Sequence, residues 1–358
     1  MGLSYSQINP TETLRSVLLD PSQPIEEGMA FPQLIGSGQT INIGPRNGRG
    51  GLLSGKLRIR DPRNIKSAAV GQAVRTAIGA PREPIERFPD QEKEFTVYKV
   101  SGEAVGLKKD LESSLDPEVE QSYFEQAMAA VNIKRELWCA DFFLAKSGDT
   151  LNVTGLTLPG WETFDWAGSY TALGATATTF LSDFQQVVAS KRKTADGKRF
   201  DVLYFDQDTM DKLQRDHSVL GRFIYDNGTS GVAMINGDLV APENFVRDVF
   251  RQHFNLRIVV GSAVQSNQRK GTTEVNAYIG RSGRMWLGCA GDLSVQNAGT
   301  TTPRVQRVTS AFACLQHDLE MDSGYVEPVL PTTVMFAVDA YMDLIALDTT
   351  FGCTLYGV

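Results

Sequence analysis

The chain has 358 residues, of which 42% are hydrophobic and 22% are charged, and its formal net charge is −7. This composition supports a folded core, and a chain this acidic is a poor general binder of nucleic acid because phosphate contacts require basic surface. The four cysteines, Cys139, Cys289, Cys314 and Cys353, form no CxxC pair. Their spacing excludes a dense disulfide framework, and we expect four reduced, buried thiols.

Residues 1–46 have the pattern of an extended arm. Five prolines interrupt the segment, and proline is excluded from helix interiors and central strands. One short helix, about Thr11 to Leu19, is the only regular element predicted there. We expect the arm either to be disordered or to pack on a neighbouring subunit.

Residues 47–103 begin and end with strand-like alternation. Leu57 and Ile59 at the start, and Phe95 and Val97 at the end, alternate with polar neighbours as in half-exposed strands. Glycines and prolines break the roughly thirty residues between them. The pattern predicts a long two-stranded projection, which would need partner contacts because an isolated hairpin is marginally stable.

The clearest element is a long helix from Pro117 to about Ser147. Asp116 is suited to cap it, Pro117 fits the first helical position, and Gly148 is suited to end it. An apolar stripe runs along it at steps of mostly three and four. The predicted core residues of this helix are Phe124, Met128, Val131, Trp138 and Phe142.

The rest of the chain mixes helices and strands, which predicts an α+β or α/β layer. We expect helices at about 178–193, 207–216 and 242–254, and strands at 200–205, 256–260, 274–279 and 284–289. The last two flank GRSG, a predicted hairpin turn. From residue 306 onward, strands at 308–315 and 334–338 dominate, and the helix-like DAYMDLIAL precedes a final short strand.

Motifs for catalysis are missing from the sequence. GxxxxGK[ST], GxGxxG, GxSxG and HExxH do not occur. The histidines His217, His253 and His317 are scattered, so we expect no metal site, and we expect no cofactor and no enzyme activity. Lys191, Arg192 and Lys193 could contact phosphate, but a position at a helix C-terminus explains them without a ligand. No apolar run of 18 or more residues predicts a membrane span.

The order of these parts resembles that of the tailed-bacteriophage major capsid proteins, whose shell fold is named after phage Hong Kong 97. The resemblance covers nearly the whole chain. Its clearest segments are FTVYKVSGEAVGLKKDLE, AAVNIKRELWCADFFLAKSG, RFDVLYFDQDTMDKLQRD and the strand-rich C-terminal stretch.

The resemblance implies an α+β, Hong Kong 97-like fold. It implies an N-terminal arm (1–46), an extended hairpin loop (47–103), a peripheral domain (104–170 and 301–358) with the spine helix at 117–147, and an axial α/β domain (171–300). The implied protein self-assembles into hexamers and pentamers of an icosahedral virion capsid around double-stranded DNA, in the host bacterial cytoplasm. An encapsulin-type nanocompartment shell is the alternative.

The resemblance also implies partners. They are other copies of the chain, a portal, packaged DNA held by non-specific contact, and in some relatives a decoration protein, with no membrane involved. Relatives often carry a cleaved N-terminal scaffolding segment, whereas this sequence reaches the arm at once. We therefore expect a separate scaffolding protein.

Charge is strongly segregated along the chain. Residues 45–75 carry a net charge of +7, whereas residues 308–358 contain no lysine or arginine and carry −7. The candidate basic residues are Arg46, Arg49, Lys56, Arg58, Arg60, Arg63 and Lys66. The candidate acidic partners are Asp318, Glu320, Asp322 and Glu327. We favour a contact between these two segments in neighbouring subunits, with DNA contact by the basic segment as the alternative.

Overall fold

The computed structural model describes residues 28–43, 54–60, 89–107, 118–153, 156–173, 179–195, 199–227, 233–235, 238–266, 276–298, 302–317, 320–325 and 333–358. The described helices are α1 (Phe31–Leu34), α2 (Glu118–Leu144), α3 (Phe180–Thr194), α4 (Gln207–Arg215), α5 (His217–Asn227) and α6 (Glu243–Phe254). The strands up to residue 240 are β1 (Thr40–Asn42), β2 (Ser54–Ile59), β3 (Gln91–Thr96), β4 (Tyr98–Leu107), β5 (Glu162–Asp165), β6 (Val202–Asp206), β7 (Ala233–Ile235) and β8 (Asp238–Val240). The later strands are β9 (Arg257–Gly261), β10 (Val264–Ser266), β11 (Asn276–Tyr278), β12 (Arg284–Gly288), β13 (Ser294–Gln296), β14 (Arg304–Arg307), β15 (Phe312–Gln316), β16 (Glu320–Tyr325), β17 (Thr333–Ala346) and β18 (Gly352–Tyr356).

The described part of the arm, residues 28–43, lies on its own subunit. Strand β1 pairs in parallel with β15, with Thr40 opposite Cys314. Leu34 and Ile41 are buried in the main core. The expectation that the arm is disordered or packs on a neighbour is therefore wrong for these residues. The short helix predicted at 11–19 lies outside the described residues.

Strands β2 and β3 form the base of the predicted loop. They pair antiparallel with Lys56 opposite Glu94, and the alternation predicted from the sequence is present, with Leu57 and Phe95 buried between exposed neighbours. The two strands also join β14 and β13 in a four-stranded sheet. The base is thus part of the subunit body and not an isolated hairpin; residues 61–88, between the strands, lie outside the described residues.

Helix α2 has 27 residues and is about 40 Å long. It packs on β4 and β17, where two glycines of β4 allow a close approach. A Cβ atom at Gly102 would lie 1.9 Å from the carbonyl oxygen of Ala127, and one at Gly106 would lie 2.9 Å from the ring of Tyr123. The C-terminal part of the helix, residues 136–144, is buried on all sides, as expected for a helix that runs through a core.

A five-stranded sheet lies beside α2, in the order β1-β15-β17-β16, with β4 also paired along β17. Strand β17 includes the segment DAYMDLIAL, so the helix-like interpretation of that segment is wrong. Its apolar residues fit a strand because Ala340, Met342, Leu344 and Ala346 are buried at alternate positions. Neighbouring strands supply the hydrogen bonds: β4 pairs with residues 333–342 and β15 with residues 342–346. A short apolar segment is compatible with both the helical period of about 3.6 residues and the strand period of about 2, and pairing with neighbouring strands decides which structure forms.

A second five-stranded sheet has the order β5-β18-β12-β6-β9, and helices α3 to α6 belong to the same region of the chain. Strand β11 pairs with β10, whereas β12 pairs with β6 and β18. The hairpin predicted around GRSG is therefore wrong. Strands β5 and β18 lie outside the predicted axial range of 171–300 but hydrogen bond within this sheet, so the sheet crosses the predicted domain boundaries.

The two large sheets share one hydrophobic core. Phe143 of α2 lies at their junction, with ring centroids 4.5 Å from Trp286 of β12 and 4.9 Å from Phe312 of β15. All four cysteines are buried and free, as expected. Among the described residues, no helix has the length and apolarity needed to cross a membrane.

Candidate assembly surface

The outer face of the four-stranded sheet carries an array of charged side chains. The alternation that buries Leu57 and Phe95 places the exposed Lys56 and Arg58 of β2 beside Glu92 and Glu94 of β3. Two ion pairs cross the strands, Lys56 Nζ to Glu92 Oε2 at 3.5 Å and Arg58 Nε to Glu92 Oε1 at 3.0 Å. Both pairs are at least 40% exposed and are worth only about 0–1 kcal/mol each. The basic side chains therefore remain available for a partner.

Strand β14 extends this basic surface. Arg304 lies opposite Arg58 in the parallel register of β14 and β2, and its guanidinium contacts Asp90 at 2.5 Å. Arg60 follows β2 and is exposed. One side of the subunit therefore carries four cationic side chains among the described residues, namely Lys56, Arg58, Arg60 and Arg304. The remaining predicted basic residues, Arg46, Arg49, Arg63 and Lys66, lie outside the described residues.

The predicted acidic partners are only partly described. Glu320 and Asp322 lie on β16, opposite Asp339 and Ala337 of β17. Asp318 and Glu327 lie outside the described residues. Acidic residues on neighbouring strands were not predicted as part of this surface.

Asp339 belongs to the acidic tail seen in the sequence but was not among the four candidate partners. Its carboxylate accepts from Lys99 Nζ and from the Ser101 hydroxyl of β4, both at 2.6 Å. These partners lie 238 or more positions away in the chain, so no local pattern signals them. The acidic tail is thus partly neutralised by β4 within the same subunit.

The joint between the loop base and the β4–β17 sheet is a cleft of about 310 Å³. Strand β4 stops pairing with β17 at Tyr98, opposite Met342, and leaves the next four residues of β17 without a strand on that side in the described structure. Two side-chain hydrogen bonds connect this part of β17 to β3 instead. Lys93 Nζ donates to the Ala346 carbonyl oxygen at 2.6 Å, and the Asp343 carboxylate accepts from the backbone N–H of Thr96 at 3.3 Å.

Burial changes the acidity of both groups at this joint. Burial raises the pKa of Asp343 to about 7, against the opposing effect of hydrogen bonds from the backbone N–H groups of Thr96 and Leu344. Burial lowers the pKa of Lys93, while the charge of Asp348 acts in the opposite direction. The hydrogen bonds of this joint therefore depend on the protonation states of Asp343 and Lys93.

Trp138 and Phe142 of the spine helix line the same cleft. The five predicted core residues of the helix, Phe124, Met128, Val131, Trp138 and Phe142, are all buried. The indole N–H of Trp138 is buried with no hydrogen-bond partner in the described structure. Its role there is therefore apolar packing.

The C-terminal end of the spine helix is fixed by a network of charges. Asp141 is fully buried and accepts from Arg281 at 2.6 Å and from the backbone N–H of Val153 at 3.1 Å. Arg284 donates to the Leu144 carbonyl oxygen at 2.9 Å and to Asp149. The hydrogen bond from Arg284 is the main cause that lowers the pKa of Asp149 to about 2. The network fixes the position of the C-terminal end of the helix.

The described residues show no candidate metal centre. They contain no group of three or more histidine, cysteine or acidic side chains placed to hold a metal ion. Lys191, part of the predicted phosphate-contact alternative, donates to Glu162 at 2.9 Å. That ion pair gives Lys191 a structural role in joining α3 to β5.

Comparison with known proteins identifies the fold. No protein-family model matches the sequence, and no curated protein is similar to it. A phage-related protein from Bordetella bronchiseptica RB50 is similar in structure, with a TM-score of 0.59 and 11% sequence identity over 97% of this chain and 96% of that one. The chain therefore has the fold of that phage-related protein, and the predicted α+β class is confirmed.

Weaker structural similarity extends to two further proteins. One is a virus-like particle from Pyrococcus furiosus, with a TM-score of 0.48 and 11% identity over 96% of this chain and 98% of that one. The other is the mature capsid of bacteriophage PhiM1, with a TM-score of 0.43 and 10% identity over 89% of this chain and 86% of that one. Both scores are below 0.5, so the assignment of the fold rests on the Bordetella protein.

Proposed function

We propose that this chain is the major capsid protein of a tailed bacteriophage. It self-assembles into hexamers and pentamers that form an icosahedral shell around double-stranded DNA. Assembly occurs in the host bacterial cytoplasm with a separate scaffolding protein and a portal. The role requires no catalysis and no cofactor. The main support is the basic face of the β2–β14 sheet in a chain whose C-terminal tail is acidic, because these opposite charges allow copies of the chain to bind one another.

We infer the domain organisation from the same resemblance. The arm is residues 1–46, the extended loop is 47–103, the peripheral domain is 104–170 with 301–358, and the axial domain is 171–300. The shared core between the two large sheets favours a subunit that moves as one unit. The family resemblance favours a loop that contacts a neighbouring subunit.

We further propose that the basic strand β2 binds the acidic C-terminal segment of a neighbouring subunit. Each exposed pair is weak, but the contact is repeated around the whole shell. Opposite potentials also set the register of two subunits. The competing function of the same face is sequence-independent contact with packaged DNA, which basic side chains at this density also support.

Charge reversal distinguishes these two roles. Arg58→Glu with Arg60→Glu should block assembly, and reversal of Asp318 or Glu320 to lysine should partly restore it. Glu92→Gln is the matched control, because it removes the partner of Arg58 within the subunit but leaves the basic strand intact. Normal assembly of the double variant together with poor DNA packaging would favour the DNA-facing role.

The molar mass of the purified full-length chain tests the shell itself. Sedimentation or light scattering should find closed particles of megadalton mass, whereas a stable monomer or small oligomer under all assembly conditions would contradict the proposal. An encapsulin-type compartment is the second candidate that the family resemblance leaves open. Such a compartment would form particles that contain protein cargo and no DNA.

A further inference from the structure

Residues 28–43 form a strap that joins three parts of the subunit. At one end, Gly28 accepts from the backbone N–H of Ser262, just after β9, at 2.8 Å. In the middle, the Gly38 carbonyl accepts from Leu293, and the Gln39 side chain donates to the Ala290 carbonyl at 2.7 Å. At the other end, β1 pairs with β15. The strap therefore connects the β6–β9–β12 sheet with the sheet beside the spine helix.

Glu136 of the spine helix holds the strap near its start. One carboxylate oxygen accepts from the backbone N–H of Ala30 and the other from that of Phe31, both at 2.8 Å. The guanidinium of Arg135, the preceding residue, lies 5.5 Å from the centre of the Phe31 ring. Both oxygens of one buried side chain thus bind consecutive amides of a segment more than 100 positions away.

This carboxylate is shielded from solvent. Glu136 is 1% exposed, and a Cβ atom at Gly261 of β9 would lie 3.4 Å from its Oε1. The titratable groups that interact with it are Cys139 on the same helix and Tyr204 on β6, both fully buried. Cys314 on β15 interacts in turn with Cys139, and Asp141 and Asp206 interact with Tyr204. These groups are neutral or acidic, and Arg135 is the cation beside them.

We propose that Glu136 is the clasp of the strap, and that its ionisation regulates how firmly residues 28–43 are held on the subunit. When the strap is docked, the carboxylate is shielded from water. When the strap lifts, the carboxylate becomes hydrated. Because hydration favours the charged form, lifting of the strap is coupled to release of a proton.

The sign of the pH effect follows from this coupling. Burial raises the pKa of Glu136 from 4.5 to about 7, against the opposing effect of the hydrogen bonds from Ala30 and Phe31. The docked form therefore holds a proton that the lifted form releases between these two pH values. The equilibrium constant for lifting therefore rises as pH rises through this window and levels off above pH 7. Its total increase is up to about 300-fold.

Hydrogen exchange of the full-length chain tests the clasp. The amides of residues 28–43 should show an opening equilibrium constant that rises about 40-fold between pH 5 and pH 7, after correction for the intrinsic exchange rate. In E136Q the rise should disappear, because the amide does not ionise. In E136A exchange should be faster at every pH, because both N–H groups lose their acceptor.

The matched control is Glu125→Gln on the same helix, whose carboxylate accepts from Gln121 and not from the strap. This variant should keep the wild-type pH profile. A flat profile in the wild type, or an unchanged rise in E136Q, would overturn the proposal. The wild-type profile decides the matter even if E136A fails to fold, and the measurement does not depend on shell assembly.

Discussion

At the scale of single residues, the spine helix carries side chains whose roles are set by partners distant in the chain. Periodicity identified Trp138 as a core residue, and the structure buries it beside Tyr98, with 5.9 Å between ring centroids. Periodicity did not identify Glu136, which a sequence pattern assigns to the polar side of a helix. Its partners are two backbone amides 105 and 106 positions away. Because every residue except proline has a backbone N–H, the residue types at these positions do not indicate the contact.

Replacement of Trp138 by alanine should lower the free energy of unfolding by about 3–5 kcal/mol, because it empties a buried site. Trp138→Phe should cost much less, since it keeps an aromatic ring and removes an N–H that has no acceptor in the described structure. Urea unfolding of both variants measures the difference. Equal stability of Trp138→Ala and the wild type would show that the side chain is not part of the core.

At the scale of elements, the sequence predicted the long helix and, in the mixed region, helices α3, α4 and α6 and strands β6, β9, β11 and β12, but it did not predict helix α5. It failed where pairing between distant segments decides the structure. DAYMDLIAL has a helical spacing of apolar residues, but β4 pairs with residues 339–342 of this segment and β15 pairs with residues 342–346, which makes it a strand. The loop base has the predicted alternation, yet the sequence contains no sign that β14 pairs with β2.

The packing of the spine helix on β4 depends on glycine at residue 102. Gly102→Ala should lower the free energy of unfolding by about 1–3 kcal/mol, because the new Cβ would collide with the backbone of the helix. Gly221→Ala is the matched control: it lies in helix α5 with nothing within 4 Å of the added Cβ, and should stabilise by about 0.5–1 kcal/mol. Thermal unfolding of the two variants should therefore shift in opposite directions. Shifts of the same sign and size would contradict the close helix–sheet contact.

The joint at Asp343 makes stability depend on pH. The folded-state pKa of about 7 lies above the ordinary value of 3.8, so the folded chain binds more protons between these values. The free energy of unfolding should therefore fall as pH rises from about 4 to about 7, and Asp343→Asn should make that fall smaller. Urea unfolding at several pH values measures the slope. The control is Asp211→Asn, on the exposed side of helix α4, which should leave this slope unchanged. If Asp343→Asn also left the slope unchanged, burial of Asp343 would not affect the pH dependence of stability.

At the scale of the whole molecule, segregation of charge was visible in the sequence but its geometry was not. The cations of β2 lie on one face because a strand alternates its side chains, which the sequence predicted. Glu92 and Lys99 contact the opposite charges within the same subunit, which the sequence did not predict. These exposed pairs are screened by salt, so any contact that replaces them between subunits should weaken as ionic strength rises.

Electron cryo-microscopy of the purified particles, combined with their ratio of absorbance at 260 and 280 nm, shows whether this chain forms a DNA-filled shell. We expect closed icosahedral shells built from fivefold and sixfold clusters of this chain, with β2 of one subunit against β16 and β17 of the next. Particles from a productive infection should have the absorbance ratio of packaged DNA. A chain that stays monomeric, or particles that hold protein cargo without nucleic acid, would contradict a phage capsid.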